Sequence, residues 1–390
     1  MCFSGAGLQR HGVKDSGAIR SRLASGGSVG KVGHVTRNFL SESPLSPLVR
    51  DALGDAISQG WHDPRKLSQH SARARILLNS ALDSLAAGLK VRPSEIEILG
   101  EPGLAPYFAI AGLLRPTDTL VFSSVDRKEI ISIARNHGRC EELGVSSDGH
   151  ILATSLPAHP EVVWAIQGAN SETGVVQNLE DLISHMPQAR IACDFSVSGP
   201  RIPLPSRWDT AVVDAKSWQG PQGISLLLIR EGTHWRNPLP HLNHLRTPQS
   251  FSLPLLIASA VALDEWSKNE EEESARLRKL THELREHIHS SIEDCDIAGD
   301  LESSLPNITS FSFLYVQGEE LLRRLEVAGF SVDSGSACTA DDLQPSHVLA
   351  AMGLLTHGNI RITLHHGTTQ EEISALVTTI QEAVRDLRRL

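Results

Sequence analysis

Val212-Val213-Asp214-Ala215-Lys216-Ser217-Trp218-Gln219-Gly220-Pro221-Gln222-Gly223-Ile224-Ser225-Leu226-Leu227 sets a lysine and a Gly-Pro-x-Gly turn between two apolar runs. Short apolar runs bounded by Gly and Pro predict buried strands, here at 210–214 and 224–229. Lysine is ordinarily a solvent-facing residue. Lys216 follows a strand directly, a position that fixes its amine at the floor of a pocket. Partial loss of water there favours the neutral, nucleophilic form.

Outward from this point the same alternation continues. Runs at 119–123, 162–166 and 190–194 predict further strands, and 71–89 places apolar side chains at helical spacing. Helices alternating with such runs predict a doubly wound, mostly parallel sheet. The stretch 252–292 reads as helical. Its charged middle, Lys268-Asn269-Glu270-Glu271-Glu272-Glu273, predicts a solvated face or a break between two helices. Beyond it, strands at 308–314, 330–332 and 360–364 alternate with helices at 319–328, 345–352 and 370–387, which predicts a small C-terminal α/β unit. The division expected is a flexible extension over 1–35, a large domain over 36–265 and a small domain over 266–390, with the ligand in the cleft.

A chain of 390 residues with 40% hydrophobic content is long enough for a large core. Lys and Arg number 36 against 46 acidic residues, a net charge of −10, so direct nucleic-acid binding is not expected. No apolar run approaches the roughly 20 residues of a membrane span. Residues 1–35 lack the apolar centre of a secretory signal. The five cysteines are an odd number without a CxxC pair, which fits neither a disulfide framework nor a zinc site and points to the cytoplasm. Cys140, Cys193 and Cys295 read as small buried hydrophobes.

Four more segments carry chemistry. Arg190-Ile191-Ala192-Cys193-Asp194 ends a strand in a carboxylate. Gln167-Gly168-Ala169-Asn170-Ser171-Glu172-Thr173-Gly174 is a polar loop. Asp333-Ser334-Gly335-Ser336-Ala337-Cys338-Thr339 places a thiol among small residues, and Gly358-Asn359-Ile360-Arg361-Ile362-Thr363-Leu364 alternates so that Arg361 and Thr363 share one face. Together with the Lys216 segment, these resemble the class V aminotransferase family of fold-type I enzymes, and within it the cysteine desulfurases. The resemblance implies an α/β fold with a mainly parallel seven-stranded sheet and a small C-terminal α/β domain. It also implies a homodimer and a pyridoxal 5'-phosphate (PLP) cofactor. Lys216 would be the Schiff-base lysine and Asp194 the partner of the ring nitrogen. Asn170 or Ser171 would contact cofactor or substrate, Arg361 would hold the substrate carboxylate, and Cys338 would accept sulfur. L-Cysteine would be converted to L-alanine, with the persulfide passed to an acceptor protein or biosynthetic intermediate.

The family's pattern is broken in several places. Leu99-Gly100-Glu101-Pro102-Gly103-Leu104 stands in place of the Gly-Ala-Thr-Glu loop that grips the phosphate. Arg127 takes the ring-stacking histidine's position, Ala215 replaces the histidine before the lysine, and Val197 replaces a glutamine. Each lost hydrogen bond to a charged group costs about 1.5–3 kcal/mol. Arg127, Arg246 and Ser250 are the candidates to compensate, Ser250 lying near the family's threonine that reaches the neighbouring subunit's phosphate. Two alternatives remain beside the desulfurase: another class V lyase or aminotransferase, and a non-catalytic sulfur-carrier or assembly homologue that has lost the cofactor.

Overall fold

The computed structural model describes residues 37–59, 62–153, 161–241, 245–334 and 345–389. The 1–35 extension and Cys338 lie outside the described residues. The elements, in chain order, begin with β1 (Arg37–Phe39), α1 (Pro47–Ser58), α2 (Gln69–Leu89), β2 (Ile96–Leu99), α3 (Ala105–Ala111), β3 (Thr119–Ser123), α4 (Lys128–His137), β4 (Cys140–Leu143) and β5 (Val162–Gln167). They continue with α5 (Leu179–Ser184), β6 (Arg190–Phe195), β7 (Thr210–Asp214), β8 (Ser225–Ile229), α6 (Leu253–Ser291), β9 (Cys295–Ala298) and β10 (Ile308–Phe313). The last five are α7 (Gly318–Val327), β11 (Phe330–Ser334), α8 (His347–Met352), β12 (Asn359–Thr363) and α9 (Gln370–Leu387).

Seven strands form one sheet in the order β2-β8-β7-β6-β5-β3-β4. The central pairs are parallel, while β8 runs antiparallel to both β7 and β2. Every residue of β5, β7 and β8 is buried, as expected where helices cover both faces of a sheet. Alternation assigns the faces. Val162, Trp164 and Ile166 join the core beneath α2, α5 and the first half of α6, whereas Val163 and Ala165 pack towards α3 and α4. Burial of each large apolar side chain stabilises the layers by roughly 1.5–3 kcal/mol.

Of the two alternatives for 268–273, a solvated face or a break, the break is absent: α6 is one continuous 39-residue helix. Within the acidic run Glu271 and Glu272 are exposed, Glu270 is half-buried and Glu273 is buried, and the helix stays unbroken because two apolar cores hold it from either side. Leu253 to Trp266 belong to the core of the large sheet, and Leu277, Leu284 and Ile288 to the core of the second. That second sheet has the order β1-β11-β12-β10-β9. β1 pairs parallel with β11, so the first described strand enters the C-terminal sheet. Cys140 departs from its expected burial; it is exposed on the edge strand β4, whereas Cys193 is buried and Cys295 half-buried.

Candidate active site

The carboxyl ends of β3, β5, β6 and β7 point the same way, and the loops leaving them build one cavity of about 520 Å³. This end of a parallel sheet is where open α/β folds bind ligands, since the loops diverge there. Lys216 lies in a 3-10 turn, Ala215–Trp218, directly after β7. The turn is pinned from below: Trp218 is buried and its Nε1 donates to the Ser259 carbonyl of α6 at 3.0 Å. Gln219 closes it in the left-handed region at φ 64°, and the Gly220 amide donates to the Ala215 carbonyl at 2.9 Å. Lys216 is therefore half-buried and lines the cavity.

Asp194, at the end of β6, lies one strand away and is 8% exposed. One carboxylate oxygen accepts from Arg127 Nε at 2.8 Å; the other accepts from the Ser196 amide at 3.0 Å. Arg127 itself lines the cavity and is ion-paired with Asp194. Burial alone would lower the Arg127 pKa, but the carboxylates of Asp194, Glu129 and Asp214 outweigh it and raise it. Asp214 is pushed up to about 6, chiefly by burial, against the pull of Lys216 and Arg127. Asp126 is buried, and burial pushes it up to about 8 against the Ser123 amide, which donates to one oxygen; the other oxygen has no partner among the described residues.

The loop after β5 divides its residues between structure and cavity. Asn170 is spent within its own surroundings: its amide donates to the Val125 carbonyl and Gln167 Oε1, while its oxygen accepts from the Glu172 and Thr173 amides. Ser171 and Glu172, not Asn170, line the cavity. Glu172 accepts from Ser346 Oγ at 2.8 Å, and burial pushes its carboxyl up to about 7. Sequence reasoning left Glu172 without a role although it stands within the quoted loop.

Arg361 on β12 also lines the cavity, while Ile360 and Ile362 on the opposite face are buried in the core, as alternation predicts. Its Nη2 donates to Asp333 at 2.6 Å and its Nη1 to the Ser171 carbonyl at 3.1 Å. Asp333 faces it because β11 and β12 pair Asp333 with Arg361 in register. Lys216, Arg127 and Arg361 thus share one cavity, with Asp194 immediately behind Arg127. Pro345 and Ser346, which follow the Cys338 segment, line the same cavity.

Ser250 and Arg246 do not join them. Ser250 is exposed, and its carbonyl backs so closely onto Gly100 that a Cβ there would come within 2.4 Å. Arg246 approaches Glu97 at 3.7 Å. The Glu101 carboxylate turns back onto the Gly103 amide at 3.3 Å, so this loop supplies its own anion. Ala215 is buried in the core, and Val197 presents an apolar side chain to the cavity.

Among the described residues, Arg127, Lys128, Arg201, Lys216 and Arg361 line the cavity against Asp126, Glu129 and Glu172. Two of those three acids are pushed to about 7 or above, so the cavity is cationic at neutral pH. A partly desolvated amine in a cationic cavity with a buried carboxylate behind it fits an anionic aldehyde cofactor such as PLP. The fit lies at the aldehyde and the ring. Glu101 and its loop are not among the residues that line the cavity, and the Glu101 carboxylate is turned onto the Gly103 amide.

The model of the aminotransferase class-V family matches residues 144–376, more than half of the chain. A cysteine desulfurase of Klebsiella pneumoniae is 26% identical over 364 residues, covering 89% of this chain and 91% of that protein. The cysteine desulfurase IscS of Klebsiella pneumoniae subsp. pneumoniae is 32% identical over 380 residues, 90% of this chain and 93% of its own length. Among solved structures, a NifS-like protein superposes with a TM-score of 0.80 at 21% identity, covering 90% of this chain and 100% of its own. The apo structure of a cysteine desulfurase from Thermococcus onnurineus does so at 0.77 and 16%, over 90% and 95%. With its seven-stranded sheet, its strand-end lysine and this extent of similarity, the chain belongs to the class V aminotransferase family.

Proposed function

We propose that the chain is a PLP-dependent, cysteine desulfurase-like enzyme acting on L-cysteine. The observation that carries this reading is the juxtaposition of the Lys216 amine, in a cationic cavity, with Asp194 held at the end of the adjacent strand. When bound, PLP supplies an electron sink that lowers the cost of a carbanion next to nitrogen. Lys216 would hold the cofactor through its aldehyde and is the amine placed to move protons at the substrate α-carbon. Asp194, oriented by Arg127 and Ser196, would be the carboxylate partner of the cofactor's ring nitrogen. Glu172 orients Ser346, the N-cap of α8. Cys338 attacks the substrate sulfur: the Cβ–S bond breaks, an S–S bond forms, the electron pair left on carbon takes a proton, and alanine departs. The Cys338 persulfide then passes to an acceptor thiol or intermediate.

Reduced thiols suit the cytoplasm, and Cys140, Cys193 and Cys295 are unpaired. A homodimer is supported by apolar side chains left in water, with Leu67 99% exposed, Ile76 69%, Ile57 62% and Leu48 54%. Incubation of purified protein with PLP and L-cysteine is expected to yield alanine and sulfide. Cys338→Ala is expected to lose this turnover while keeping the visible absorbance that Lys216→Ala loses. Undiminished turnover in Cys338→Ala would remove the desulfurase assignment. The Glu101 cap favours a second reading, a cofactor-free sulfur-carrier homologue, and protein that stays colourless after incubation with PLP would select it.

A further inference from the structure

Two histidines line the cavity, His347 and His365. His365 is 8% exposed, its Nε2 is engaged with the Leu40 carbonyl at 2.8 Å, and burial pulls its pKa down. His347 opens α8 directly after the Ser346 cap and is half-buried. Its Nε2 lies 2.9 Å from the Asp126 carbonyl. A carbonyl oxygen only accepts, so Nε2 carries the hydrogen and the neutral ring keeps its lone pair on Nδ1. Nδ1 has no hydrogen-bond partner among the described residues and is not one of the enclosed unpaired atoms, so that edge of the ring is accessible.

Few other groups here can take a proton. Arg127 and Ala215 stand where the family carries histidines, and neither is a proton acceptor. The carboxyls of Asp126 and Glu172 each have one oxygen taken, by the Ser123 amide and by Ser346 Oγ, and the other enclosed. In sequence, the Cys338 segment leads directly into Pro345, Ser346 and His347, all of which line the cavity. Resting on the desulfurase reading, we propose that His347 is the proton acceptor of this cavity, taking at Nδ1 the proton of the substrate thiol. A cysteine thiol has a pKa of about 8.5 and is mostly protonated at neutral pH. As its sulfur becomes the outer atom of the persulfide, the S–H bond breaks, the electron pair stays on sulfur, and the proton forms an N–H bond at Nδ1. Nothing is oxidised or reduced in this step, and the imidazolium then releases the proton to water. The Asp126 carbonyl accepts from Nε2 throughout, which holds the ring in place and favours its positive charge. The charged groups on the surrounding elements are Asp126, Arg127, Lys128 and Glu129, Glu172 of the loop after β5, and Arg361 of β12. Their three cations favour the sulfur anion over the thiol.

The test follows alanine formation from L-cysteine by the full chain with PLP across pH. The wild-type rate is expected to rise through the ionisation of His347, which nuclear magnetic resonance of histidine-labelled protein reads directly. The same spectra are expected to show the neutral ring protonated at Nε2 and bare at Nδ1. His347→Gln keeps a donor for the Asp126 carbonyl but has no titrating lone pair. Its turnover is expected to fall by about 100-fold or more and to lose the pH step. If the glutamine variant does not fold, His347→Ala takes its place, and added imidazole is expected to restore turnover. His365→Gln is expected to retain the step. A wild-type pH step in His347→Gln, a neutral His347 ring protonated at Nδ1, or loss of the step in His365→Gln alone would each overturn the inference and leave the desulfurase reading standing. Wild-type chain that forms no alanine would overturn both.

Discussion

Asp126 sits at the sensitive point of the cavity floor, enclosed next to the Arg127–Asp194 pair. Its pKa is raised to about 8 by burial, with the Ser123 amide opposing and the Asp194 charge adding, while Arg127 opposes. The sign of its effect on stability follows. An unfolded aspartate ionises near pH 4, so between about pH 4 and pH 8 the folded chain holds a proton that the unfolded chain has released. Stability from this site is present at the acid end of that window and falls as pH rises through it. Asp126→Asn removes the ionisation but keeps an oxygen for the Ser123 amide. The variant is expected to exceed the wild type in urea midpoint at pH 8, with the difference closing towards pH 4. A pH-independent difference would show that Asp126 ionises normally in the fold. Neighbouring sequence foretold none of this, because the turn at 123–127 is enclosed by distant residues: Asn170 donates to the Val125 carbonyl, His347 meets the Asp126 carbonyl, and Val348 and Met352 pack with Val125.

At the scale of elements, local pattern and tertiary contact disagree most clearly in α6. Four consecutive glutamates repel one another and oppose helix continuity, which is why the sequence predicts a solvated face or a break there. The helix nevertheless runs through, because Trp266 and Leu277 are anchored in separate cores and continuity costs less than exposing either end. Asn269 is exposed within that run, and its Nδ2 donates to the Glu265 carbonyl. Asn269→Pro removes a helical N–H and clashes with the preceding turn, and is expected to destabilise the fold by about 3 kcal/mol or more in urea denaturation. A cost near zero would mean that the two halves of α6 are energetically independent. The strands read differently: 119–123 and 210–214 fall at their expected positions, since continuous apolar runs allow few alternatives. The shorter edge strands β1, β4 and β9 carried no such run and emerge only from pairing.

For the whole molecule, the exposed apolar residues of α1 and α2 and the neighbouring Leu67 set the expected assembly. Leu67→Glu combined with Ile76→Glu is expected to convert a dimer to monomers in sedimentation at micromolar concentration, without loss of secondary structure. Wild-type chain sedimenting as a monomer would refute the dimer. By itself the sequence determined the alternation of buried strands and helices, the parallel sheet and the placing of Lys216 and Asp194 at adjacent strand ends. These follow from hydrophobic periodicity and turn chemistry, which act over a few residues. Only the tertiary structure decided that Asn170 donates to the Val125 carbonyl and that Asp333 occupies Arg361. Those outcomes depend on which groups, tens of positions apart, arrive within hydrogen-bonding distance, and on how much water remains around them. Charge and desolvation act through space, and the residues they couple here are neighbours only after the chain has folded.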